Sequence, residues 1–152
     1  MKKIMFILAT LSLLMSGCNN EYDEVLDESV LSELASFEYL GYIYYIHPRL
    51  AIYQSDVKYK DVEKAVQSLD SYGYQSWFIP SMNELEQAAK KGYLPIMFDT
   101  VRVLFYISSS QSNGTYQCLV YLQEYGWNPV NIGNYSGYST VRPMIKFRKR
   151  KQ

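Results

Sequence analysis

The spacing of apolar positions changes repeatedly along this chain, and each change marks a predicted element. An apolar run from Ile4 to Leu14 follows Lys2 and Lys3 and ends in small residues, the pattern of a secretory signal. It falls well short of the roughly twenty residues that cross a bilayer. The stretch EYDEVLDE that begins at Glu21 is acidic and poor in apolar side chains, so it reads as a solvated tether. From Phe37 to Ile46 the chain is dense in aromatic and β-branched residues, which predicts one or two strands stopping at His47-Pro48. Val62, Ala65, Val66, Leu69 and Tyr72 then recur at helical spacing, predicting a helix from about Lys58 to Ser71 that ends at Gly73.

A second helix is announced by its start signal. In WFIPSMNELEQAAKKG, Ser81 and Glu84 have the S-x-x-E spacing of a capping box, Leu85, Ala88 and Ala89 repeat with the helix, and Gly92 follows Lys90 and Lys91. Beyond it, a strand near Val101 to Ser108 and a return strand from Tyr116 to Leu122 flank Asn113-Gly114, the dipeptide that supplies the positive φ angles of a tight hairpin. Residues 125–138 are rich in Asn, Gly, Ser and Tyr and predict a long irregular loop. A final strand in TVRPMIKF carries Pro143, which argues for an edge or a bulge.

Charge and cysteine content narrow the possibilities. Lys+Arg and Asp+Glu number 15 each, and loss of Lys2 and Lys3 with the signal leaves the mature chain two charges negative. No basic field for nucleic acid results, apart from the tail cluster Lys146, Arg148, Lys149, Arg150 and Lys151. The cysteines are Cys18 and Cys118, and Cys118, within TYQCLVYL, reads as a small buried hydrophobe rather than a reactive thiol. His47 is the single histidine and sits beside a proline, which suits a turn better than a metal site or a catalytic triad. No phosphate loop, dinucleotide fingerprint or hydrolase motif is present, and neither a catalytic residue, a metal nor a cofactor is expected.

The stretch LLMSGC resembles a bacterial lipobox, with Met15 where Leu is usual. The resemblance implies cleavage before Cys18 and acylation of that cysteine, and several acyl chains make membrane attachment effectively permanent. Asn19 and Asn20 stand where inner-membrane lipoproteins carry a retaining Asp, which implies the outer membrane. The acidic patch after Cys18 also resembles a surface-export signal, with a plain linker as the other reading. The expected organisation is a signal peptide over 1–17, lipidated Cys18 with its tether over 18–36, one domain over 37–147 and a basic tail over 148–152.

The order of motifs in that domain resembles the Lcl C-terminal domain family, a bacterial branch of the C-type-lectin-like fold. Trp77, Pro80, Ser81, Glu84 and Leu85 match a W-R-L-P-[ST]-x-x-E-L step, Ser108, Ser109 and Ser110 match a serine-rich strand, and Val141 and Arg142 match a closing V-R strand. Phe78, Tyr106-Ile107 and Lys146 depart from the pattern. The resemblance implies an α+β, C-type-lectin-like fold: two helices packed on small twisted antiparallel sheets, with a long irregular loop. Trp77, Pro80, Ser81, Glu84 and Arg142 would then be scaffold.

Within the 125–138 loop, Tyr125, Trp127, Tyr135 and Tyr138 offer flat ring faces, and Asn128, Asn131 and Asn134 offer paired donors and acceptors, a mixture suited to sugar rings or adaptable protein contacts. The Glu-Pro-Asn and Gln-Pro-Asp triplets of calcium-dependent sugar binding are missing, so no calcium requirement is expected. The expected function is a lipid-anchored outer-membrane module, exposed at the cell surface, that binds an extracellular glycan or protein. The alternative is an accessory subunit of a surface appendage or outer-membrane assembly. Oxidases of the formylglycine-generating kind share the broad fold but need paired cysteines, which a lone Cys118 does not provide.

Overall fold

In the computed structural model residues 27–48, 51–53, 58–96, 103–131 and 138–151 are described. The signal peptide, Cys18, most of the tether, Asn134 and Tyr135 lie outside them. In chain order the elements are α1 (Glu28–Leu31), β1 (Ser36–Tyr39), β2 (Tyr42–Ile46), β3 (Ala51–Tyr53), α2 (Tyr59–Gln67), α3 (Met82–Lys90), β4 (Leu104–Ser112), β5 (Thr115–Leu122), β6 (Gly126–Asn131), β7 (Tyr138–Val141) and β8 (Met144–Arg148). This is an α+β arrangement of two small sheets, ordered β1-β2-β8 and β3-β7-β4-β5-β6. The first is antiparallel throughout. The second is mixed, because β7 lies parallel to β4; the expectation of purely antiparallel sheets is corrected on this point.

Strands β2, β4, β5 and β8 carry runs of successive buried residues, because both of their faces are covered there. Tyr45, Phe105, Ile107, Cys118, Val120, Val141 and Ile145 face one core together with Val62 and Val66 of α2. Tyr44, Ile46, Leu104, Tyr106, Leu119 and Met144 face a second core with Leu85, Ala88 and Ala89 of α3. Successive side chains of a strand point to opposite faces, so runs such as LFYI and CLVYL divide themselves between the two cores. The helices therefore cover different faces of the sheets.

Several boundaries differ from expectation for identifiable reasons. The helix expected over 58–71 stops at Gln67, and Tyr72 and Gly73, with φ of 60° and 78°, instead form a tight turn closed by a Ser71–Tyr74 bridge. Gly73 therefore serves a turn, not a helix cap. The single strand expected in TVRPMIKF is two strands in different sheets, with buried Pro143 at the crossing. Its missing N–H suits a point where the chain leaves one ladder for another, and its carbonyl accepts from the backbone N–H of His47 at 2.8 Å. The folded body also begins before position 37: Leu31 is fully buried in the first core, and Asp27 caps α1 by accepting from Ser29.

Candidate functional site

The Trp-x-x-Pro-Ser step is an extended crossing between the two cores. Trp77 and Ile79 are buried in the first and Phe78 packs on the second, while Phe78 exchanges two backbone hydrogen bonds with Met144, at 2.9 and 3.0 Å. Trp77 is 2% exposed, and its indole Nε1 donates to the carbonyl of Tyr74 at 3.1 Å. His47, expected at a turn, is buried with its ring 4.8 Å from that of Trp77 and edge-on to it. Pro80 is buried and its carbonyl accepts from the N–H of Ser109 at 2.9 Å.

Ser81 then starts α3. Its hydroxyl accepts from the N–H of Glu84 at 3.4 Å, and the Glu84 carboxylate accepts from the N–H of Ser81 at 2.7 Å, completing the capping box. Ser110 adds a cap from outside the helix, its hydroxyl accepting from the N–H of Met82 at 2.9 Å. Ser108, fully buried, donates from its hydroxyl to the carbonyl of Gln117 at 2.8 Å, within the register shift that interrupts the β4–β5 ladder between Ile107 and Gln111. The serine-rich strand and the Trp-Pro-Ser step thus form one junction, in which Ser110 of β4 satisfies one orphan donor of α3.

Arg142 ties separate segments together. Its Nη1 donates to the carbonyl of Pro48 at 2.9 Å and its Nη2 to that of Tyr93 at 3.4 Å. Partial burial holds its pKa below the usual guanidinium value, opposed by the field of nearby Tyr106, and burial pushes the Tyr106 phenol up to about 12.

The candidate ligand residues fall into three groups. Tyr125 is 75% exposed at the β5–β6 turn. Trp127, Asn128 and Asn131 belong to strand β6 and not to the expected irregular loop, because Gly126–Asn131 pairs residue for residue with β5. The amide of Asn128 donates to the carbonyls of Tyr125 and Gly126, at 3.1 and 3.0 Å, and so shapes the hairpin. Tyr138 starts β7 and packs against the second core.

Trp127 meets Tyr121 and Tyr106 edge-on, at 5.3 and 5.9 Å between ring centroids. These rings, with Pro95, Ile96 and Leu104, line a small indentation with room for about one water molecule. Trp127 is among the ring faces expected from the sequence, but Tyr106 and Tyr121 are not, and they meet it only through the β4–β5–β6 register.

A second constellation escaped the sequence reading. Lys146 sits 5.2 Å from the Tyr42 ring, 5.7 Å from Tyr44 and 5.4 Å from Phe78, with its ammonium 3.7 Å from Glu84. Tyr44 donates its hydroxyl to the same carboxylate at 2.9 Å; burial first, and then this bond, raises the Tyr44 pKa. The signal for this contact was register: Lys146 lies directly opposite Tyr44 across β2 and β8. Glu84 is therefore engaged by Ser81, Tyr44 and Lys146 together, as a structural carboxylate.

Cys118 is 2% exposed, and burial pushes its thiol up to about 12. Among the described residues no group of three or more His, Cys, Asp or Glu side chains could hold a metal ion, and no helix is long and apolar enough to cross a membrane. Compared with protein-family models, curated proteins and solved structures, the chain matches none.

Proposed function

We propose that this chain is an outer-membrane lipoprotein whose C-type-lectin-like domain binds an extracellular glycan or protein, without catalysis, cofactor or calcium. The observation that carries the reading is the 75% exposed ring of Tyr125 at the β5–β6 turn, with the half-buried rings of Tyr121 and Trp127 on the strands that flank it. An exposed ring on a hairpin turn suits stacking against the apolar face of a sugar. The fold reading draws support from the junction of the Trp-Pro-Ser step with the serine-rich strand. Lipobox-like residues before Cys18 support the anchor.

The accessory-subunit reading would use strand addition at a sheet edge. Of the edge strands β1, β3, β6 and β8, β6 carries Pro129, which lacks a donor and blunts that edge; the glycan reading is preferred for the exposed ring of Tyr125. The test is binding of the mature chain to immobilised polysaccharides, with Tyr125→Ala as the probe. Loss of one stacking ring lowers affinity about tenfold, while chelator has no effect. Equal binding by the variant, or binding abolished by chelator, refutes the proposal.

A further inference from the structure

The β1–β2 turn holds a residue that neither conformation nor burial explains. Leu40 and Gly41 have φ of 49° and 81°, the paired positive values of a tight hairpin turn, where Gly, Asn and Asp are the usual occupants. Leu40 is nonetheless 76% exposed, the most exposed of the large apolar side chains described. Its surroundings are cationic. The N–H of Lys149 donates to the carbonyl of Gly41 at 2.9 Å, and Arg148 pairs with Tyr42 across the β2–β8 ladder. Lys149 is held by Glu38, at 2.7 and 2.9 Å, whereas Arg148, Arg150 and Lys151 are exposed with no ion pair to a described residue.

The point where the chain enters the domain lies at the same end. The N–H of Asp27 donates to the hydroxyl of Tyr74 at 2.7 Å, and the Tyr74 ring packs 5.3 Å from that of Phe147, the neighbour of Arg148 in β8. Asp27 is nine residues beyond Cys18, so the chain between them spans roughly 30 Å at most.

From these observations we infer that Leu40 with Arg148, Arg150 and Lys151 forms a membrane-docking face, the leucine entering the interface and the cations meeting anionic lipid headgroups. The inference rests on the reading of Cys18 as a lipid anchor, which would hold this end of the domain within reach of the bilayer. An exposed apolar side chain on a turn that adjoins a basic strand end is the arrangement that combines partition with headgroup attraction. A docked domain would present the rest of its surface, and its ligand, in one orientation.

The test separates the face from the anchor. The chain from position 18 onward, carrying Cys18→Ser so that no acyl chain can form, is mixed with neutral phosphatidylcholine vesicles and with vesicles containing roughly a third phosphatidylglycerol, and sedimented. Binding is expected to the anionic vesicles only, and to weaken in high salt. At roughly fivefold per basic residue, replacing Arg148, Arg150 and Lys151 together with Gln weakens it about a hundredfold. Leu40→Gly weakens it at least about tenfold while leaving the thermal midpoint unchanged or higher, since glycine suits the turn. Failure to bind anionic vesicles, equal binding to neutral ones, or either variant binding like the parent overturns the inference. The mass of the mature wild-type protein reports acylation of Cys18 separately, so a missing anchor and a missing docking face give different results.

Discussion

Replacing Glu84 with alanine tests the claim that this carboxylate is structural. The substitution deletes the return bond of the capping box, a contribution of about 1 kcal/mol. It also leaves the hydroxyl of Tyr44, a 2% exposed residue, without its acceptor, which costs about 1–3 kcal/mol. The Lys146 contact adds little, because that side chain is 42% exposed and the pair is 3.7 Å apart. The expected loss is about 3 kcal/mol, read from urea titrations followed by tryptophan fluorescence and far-ultraviolet circular dichroism. Glu84→Gln keeps the shape and one acceptor oxygen and should lose about half as much. In a Tyr44→Phe background the cost of Glu84→Ala should fall by about 1–2 kcal/mol, because no buried hydroxyl remains to be orphaned. An alanine variant within about 1 kcal/mol of the parent, or one showing no coupling to Tyr44, would refute the reasoning.

Substitutions at two other residues give independent checks. Burial raises the Cys118 thiol from 9.0 to about 12, so the folded state holds its proton where the unfolded chain loses it. That contribution is complete below pH 9 and is lost above it, at up to about 1.4 kcal/mol per pH unit. Tyr106, raised from 10.0 to about 12, adds to the decline above pH 10. In Cys118→Ala the unfolding free energy should therefore flatten between pH 9 and 10, and an unchanged slope would count against a buried thiol. Arg142→Met preserves the side-chain stem but removes donors to the carbonyls of Pro48 and Tyr93, with an expected loss of about 2 kcal/mol. Arg142→Lys should restore less than half, because a point charge cannot serve two carbonyls in fork geometry; full rescue in urea titrations would disprove the tie.

What could be read from the sequence was whatever local chemistry decides. Asn113 and Gly114 have φ of 51° and 75°, as a tight turn between the β4 and β5 strands requires. The α3 cap followed from the Ser81–Glu84 spacing alone. Tertiary pairing overrode local pattern elsewhere. A proline between two apolar runs gives no sign of whether the chain stays in its sheet, and only the pairing of β7 with β3 and β4, and of β8 with β2, shows that Pro143 separates two ladders. Strand β6 was hidden for a related reason: its Gly, Asn and Pro content is that of a loop, and it is held by a partner, β5, whose own composition is unmistakably strand-like.

The same distinction explains why candidate ligand residues were harder to read than the fold. Composition identifies Trp, Tyr and Asn as suitable for recognition, but register determines what each one does. Asn128 spends its amide on its own hairpin, and Trp127 meets the rings of Tyr121 on the neighbouring strand β5 and of Tyr106 on β4 beyond it. Glu84 shows the converse. Its carboxylate lies amid aromatic rings and a lysine, an environment that in isolation invites a catalytic reading. Ser81, Tyr44 and Lys146 already engage it, two by hydrogen bonds and one by charge. Those partners account for where the carboxylate sits, because the cap fixes the start of α3 while the phenol and the ammonium tie that helix to β2 and β8.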